Sequence, residues 1–153
     1  MACFVVFGGI IFTNQTAIAK QLDNWLLLPR HQGVTELYFA DDKQLPAAVK
    51  IDSAQKVAFA IHNLEHEATT YRYTVVVTEA GAPLGQTVGG GSVQLEHDQQ
   101  ETVGETIKIP TVNSPRAVIS VELEYQGIPF GKKTLNAQHM AIQYWVNVVG
   151  ART

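Results

Sequence analysis

Cysteine is almost absent from this chain. Cys3 is the only one, so no disulfide can close within it, and cysteine usage does not reveal the redox compartment. Cys3 suits an acylation or intermolecular disulfide site, or more simply a small apolar filler. Charge is also scarce, at 16% of 153 residues with a formal net charge of −3, which leans away from the Glu/Lys-rich make-up of long helical proteins. Basic clusters are missing as well. Lys132 and Lys133 form the one adjacent cationic pair, which leaves no electrostatic footprint for nucleic acid.

Sequence contexts for catalysis are lacking too. Ser53, Ser92, Ser114 and Ser120 have no Gly-x-Ser-x-Gly surroundings. Gly89, Gly90 and Gly91 are followed by neither the Lys-Ser/Thr nor the helix of a phosphate loop, and they read as a flexible strand connection or a bulge. Nothing in the sequence assembles a nucleophile, a base and an oxyanion donor. No catalytic residue and no cofactor is therefore assigned.

A complete membrane span is missing as well. The densest apolar stretch, residues 1–12, contains Phe4, Val5, Val6, Phe7, Ile10, Ile11 and Phe12. As a helix it reaches about 18 Å, short of the ~30 Å hydrocarbon core, and Asn14, Gln15 and Lys20 follow it. Three readings stand. It is the outer end of a transmembrane helix that begins upstream, a secretory signal peptide cut after the small-x-small Ala17-Ile18-Ala19, or a β-strand within the domain or donated to a neighbouring subunit. Each reading attaches this end to something. Residues 15–28 fit a short helix, with Ile18, Leu22, Trp25 and Leu26 at helical spacing and Pro29 beyond them.

What is present is alternation. Residues 56–77 read as two strands joined by a short polar connection, a hairpin at the centre of the core. Val57, Phe59 and Ile61 share one face of the first strand, and Tyr71, Tyr73, Val75 and Val77 share one face of the second. Burial of these seven side chains contributes roughly 1.5–3 kcal/mol each, and a slip of one residue would turn them all outward. Further strands are expected over 34–39, 45–51, 84–88, 92–95 beyond the glycines, and 101–109. Two more are expected over 119–125, with Glu122 and Glu124 on the wet face, and over 139–149, with Met140, Ile142, Tyr144, Val146 and Val148 together. The cadence is that of an all-β, antiparallel sandwich of immunoglobulin-like or fibronectin-like arrangement, without the Cys…Trp…Cys signature of antibody domains. Residues 1–33 are an apolar segment and connector, 34–149 the sandwich domain and 150–153 a tail.

The richest polar cluster is His62-Asn63-Leu64-Glu65-His66-Glu67. His62, Glu65 and His66 are the candidate metal ligands, though the spacing matches neither a helical His-Glu-x-x-His site nor a cysteine site, and solvated turn residues are the simpler reading. Tyr71, Tyr73, Tyr144 and Trp145 suggest a stacking platform for sugars, but adjacent strand residues face opposite ways, and core packing explains the set better.

Several stretches together resemble the extracytoplasmic domain of a prokaryotic membrane-protein family, the domain-of-unknown-function family sixteen-sixteen. They are Thr35-Glu36-Leu37-Tyr38, Ile61-His62-Asn63-Leu64-Glu65, Tyr71-Arg72-Tyr73-Thr74-Val75 and Gln143-Tyr144-Trp145-Val146-Asn147-Val148, in that order. The resemblance implies a membrane-anchoring region followed by an immunoglobulin-like sandwich, and it brings no catalytic residues. The expectation is a non-catalytic extracytoplasmic interaction module, anchored in the membrane or displayed at the cell surface. Its partners would be the membrane or a neighbouring subunit through the apolar segment, and an unidentified protein. The alternatives are a filament or surface-layer subunit assembled by strand donation, and a metal-dependent enzyme or sugar-binding accessory domain.

Overall fold

In a computed structural model of the chain, residues 33–127 and 136–150 are described. The apolar residues Phe4 to Phe12, the short helix expected over 15–28, the end of the turn after Gly127 and the last residues of the tail lie outside them. Among the described residues eight strands follow one another: β1 Val34–Phe39, β2 Ala48–Lys50, β3 Ala54–Leu64, β4 Thr69–Glu79, β5 Gln86–Leu95, β6 Gln99–Lys108, β7 Arg116–Gly127 and β8 Asn136–Val149. The helical content among the described residues is a single 3-10 turn, Asp42–Gln44.

The strands form two sheets, one in the order β1-β3-β6 and one in the order β2-β8-β7-β4-β5. Every pairing is antiparallel except that of β2 with β8, which is parallel over three residue pairs. The fold is an all-β, immunoglobulin-like sandwich. The expected strand over 45–51 shrinks to Ala48–Lys50, since Pro46 has no N–H to offer a ladder and delays its start.

The alternation carries the core. The inward faces bring together Val57, Phe59 and Ile61 from β3, Tyr71, Val75 and Val77 from β4, and Ile119, Val121 and Leu123 from β7, all buried. Two tyrosines seal the packing by ring contacts, Tyr73 edge-on to Phe59 at 5.2 Å and Tyr144 edge-on to Phe39 at 5.1 Å.

Residues 56–77 do not form a hairpin. β3 pairs with β1 and β6, β4 pairs with β5 and β7, and the connection between them arches from one sheet to the other. Two strands with one apolar face each can lie side by side or face to face, and period-two spacing is the same in both. The arch wins because it sets the two apolar faces against each other across the sandwich.

Of the two readings of the triple glycine, the strand connection fails, and a bulge or irregularity does lie beside it. Gly89, Gly90 and Gly91 run inside β5, and the register of β5 against β4 shifts between Val75 and Val76 just beside them. A Cβ on Gly91 would stand 2.6 Å from Tyr73 Oη, and one on Gly90 would stand 2.9 Å from the Tyr73 carbonyl oxygen. The bare backbone lets Tyr73 pass over β5, where its hydroxyl donates to Glu105 Oε1 on β6 at 2.6 Å. That bond crosses from the five-stranded to the three-stranded sheet.

Two consequences are measurable. Tyr144 Oη is buried, with no hydrogen-bond partner among the described residues. Removing an orphaned hydroxyl relieves its desolvation penalty, so Tyr144→Phe is expected to raise the unfolding free energy by about 1 kcal/mol in a denaturant titration. Burial also pushes the phenols of Tyr71, Tyr73 and Tyr144 up to about 12 from the usual 10. The unfolded chain releases those protons first, so stability holds below pH 10 and falls as the pH climbs from there towards about 12. The ring signals of these three tyrosines, followed by NMR, should therefore report ionisation together with the loss of strand signal in an alkaline titration, not ahead of it.

Candidate functional site

The sequence cluster at residues 62–67 sits where β3 ends and the arch begins, beside the corner between β5 and β6. Strand alternation sends His62 and Asn63 to opposite faces. Asn63 points inward and is fully buried, with every hydrogen-bonding group of its amide engaged. Its Nδ2 donates to the carbonyls of Glu67 and Leu95, both at 2.8 Å, and its Oδ1 accepts from the Glu65 N–H at 2.9 Å and from Tyr71 Oη at 3.0 Å. Tyr71 Oη also lies 3.0 Å from Thr35 Oγ1, which donates to Glu65 Oε1 at 2.8 Å. Two hydroxyl protons are thus shared among three contacts in a part-buried chain of oxygens.

His62 points the other way, onto the outer face of the three-stranded sheet. Its Nδ1 lies 3.0 Å from Glu36 Oε2 on β1, directly across the ladder, and its Nε2 lies 3.2 Å from Asp98 Oδ1 at the β5–β6 corner. The hydrogen bond with Glu36 is the main reason its pKa stands above the usual 6.5. The bond with Asp98 adds to it, and partial desolvation pulls the other way. His66 adopts a left-handed backbone (φ 66°), and its ring lies tilted 40° against that of His97, with the ring centres 4.7 Å apart.

The three candidate ligands of the sequence reading are therefore spent in three directions. His62 bridges two carboxylates on the outer face, Glu65 holds Thr35 across the end of the sandwich, and His66 leans on His97. Among the described residues no group of three His, Cys, Asp or Glu side chains converges so as to hold a metal ion. Glu36 and Asp98 sit on opposite nitrogens of the imidazole, so those three groups share no common point either.

Of the proposed aromatic platform, Tyr71 and Tyr73 are buried, and Tyr144 faces inward against Phe39. Trp145 departs from the core reading. It is 52% exposed on the outer face of the five-stranded sheet, with the Arg116 guanidinium 4.9 Å from its ring centre. Further along that face, Arg72, Glu124 and His139 form one cross-strand row, and Thr74, Glu122 and Ala141 form the next. They line a groove of about 510 Å³. Among the described residues the side chains of Arg72, Glu122, Glu124 and His139 make no hydrogen bond or ion pair with another side chain. Alternation alone placed Glu122 and Glu124 on a wet face, but the row they share with Arg72 and His139 depends on the pairing order.

No protein-family model matches the sequence, and no curated protein does. Among solved structures, the chain is similar to the CARDB domain of a Pyrococcus furiosus protein, solved in complex with di-metal ions. The TM-score is 0.50 at 11% identity, over 80% of this chain and 93% of that one. It is also similar to a β-glucosidase from Listeria innocua, with a TM-score of 0.43 at 13% identity, but the match spans only 16% of that enzyme. The first likeness shows the fold, an immunoglobulin-like sandwich. The second carries no argument about activity.

The buried amide generates a prediction. Asn63→Ala strands two carbonyls, an N–H and a tyrosine hydroxyl in a buried setting, and is expected to cost about 3 kcal/mol or more. Chemical denaturation of the variant beside the parent measures it. A loss below 1 kcal/mol would show that water replaces the amide without penalty.

Proposed function

We propose that this chain is a non-catalytic extracytoplasmic interaction module, held at the membrane or cell envelope through its apolar N-terminal segment. The observation that carries the reading is how its chemistry-bearing groups are used. His62 and Glu65 of the 62–67 stretch are engaged in structural contacts. The outer face of the five-stranded sheet, by contrast, offers a groove with acidic and cationic side chains, and the same face carries an exposed tryptophan. Surfaces of mixed charge with an Arg–Trp anchor suit recognition of another macromolecule. The apolar density of residues 4–12 and the resemblance to the extracytoplasmic domain of a membrane-protein family support the location.

A second reading is assembly of copies by strand donation. One observation favours it: β5 is an edge of its sheet, with a partner on one side alone among the described residues. An extended segment such as residues 4–12 would find unpaired backbone groups there.

Fractionation of native cells followed by site-directed photocross-linking separates these readings. The interaction module should sit in the envelope fraction, and a photoreactive residue replacing Gln143, on the outer face beside Trp145, should form a discrete adduct. The same residue at Thr102, on the opposite sheet, should not. Recovery in the cytosol, free of membrane, sinks the location. Adducts linking the β5 edge to residues 4–12 of another copy would establish assembly instead.

A further inference from the structure

The corner between β5 and β6, where the chain leaves the five-stranded sheet for the three-stranded one, is held from both faces of β3. From the inner face Asn63 grips it with groups that do not titrate. Its Nδ2 donates to the Leu95 carbonyl at 2.8 Å, and its backbone carbonyl accepts from the Asp98 N–H at 2.7 Å. From the outer face His62 reaches the same corner through the Asp98 carboxylate at 3.2 Å, while its other nitrogen meets Glu36 at 3.0 Å. Asp98 itself carries φ 62°, a left-handed turn residue whose side chain is brought round to face the imidazole.

Proton counting separates the two states of this bridge. A neutral imidazole has one N–H and one lone pair, whereas the imidazolium donates from both nitrogens. With a carboxylate oxygen against each nitrogen, a neutral ring satisfies one partner and turns a lone pair on the other. We propose that His62 is a proton-operated clamp: charged, it ties the β5–β6 corner and the edge strand β1 to β3, and on losing its proton it lets one of them go.

The surroundings support this. The charged groups set against the ring are Glu36 from β1 and Asp98 from the corner, both acidic, and the residue across from it on β6 is uncharged Gln100. Their effect raises the pKa of His62 above 6.5, so the clamp contributes fully below that pH and is lost as the pH rises through the folded value. The His66 and His97 rings, tilted 40° against each other, lie at the same end.

The test uses the full-length, nitrogen-15-labelled chain, following the ring signals of His62 and the exchange protection of the Asp98 amide from about pH 5 to about pH 9. The expected result is a His62 midpoint above 6.5, with Asp98 protection falling several-fold as the pH passes through it. In the Glu36→Gln, Asp98→Asn double variant the midpoint should return towards 6.5 and the fall in protection should vanish. His62→Gln, checked for an unchanged far-ultraviolet spectrum, should show protection that no longer responds to pH in this range. A parent midpoint at or below 6.5, or protection that stays flat across it, overturns the clamp. So does a pH-dependent fall that survives in His62→Gln, since it would place the titration on another group such as the His66–His97 pair.

Discussion

One buried amide organises the end of this sandwich. Asn63 closes β3, and from there it holds the start of the arch through Glu65 and Glu67, the first turn of β4 through Tyr71, and the end of β5 through Leu95. Those segments belong to both sheets, so the amide fixes where the chain crosses between them. A buried amide is tolerated there because each of its donors and acceptors is matched. Unmatched, the same group would be among the most destabilising in the domain. The apolar core drives the two sheets together without direction, and the amide decides the corner at which they join.

The tyrosines extend the same division of labour. Their rings fill the space between sheets, and their hydroxyls decide how the sheets meet. Tyr71 reaches the Asn63 cluster, and Tyr73 crosses the glycine-lined stretch of β5 to Glu105. The glycines are needed for the space they leave free above β5, so what looked like a break in the strand is a clearance for a neighbour. Tyr144 has the ring contact without the hydrogen bond, and it marks the one buried side-chain polar atom left unpaired among the described residues.

Much of the fold was legible in the chain itself. Val57, Phe59 and Ile61 of β3, and Ile119, Val121 and Leu123 of β7, lie on the inner faces that their alternation demanded. The hairpin reading of residues 56–77 failed for a physical reason, because alternation reports which way a side chain points and not which strand lies beside it. The candidate site was harder to read for the same reason. His62, Glu65 and His66 are neighbours in sequence, yet the partners that settle their roles, Glu36, Thr35, Asp98 and His97, come from other strands and corners. Trp145 followed the alternation rule, opposite Tyr144, and its exposure was visible only once β8 had a sheet around it.

By itself the sequence determined the strand period, the residues that face inward and the all-β class, because pleating and the burial of apolar area are local consequences of residue order. The tertiary structure decided the partners. It made an arch of the expected hairpin, set two carboxylates on either side of one imidazole, and gathered Arg72, Glu122, Glu124 and His139 on one outer face. Hydrogen bonds and ion pairs act over about 3 Å, and the groups they join here stand dozens of residues apart until two sheets bring them together.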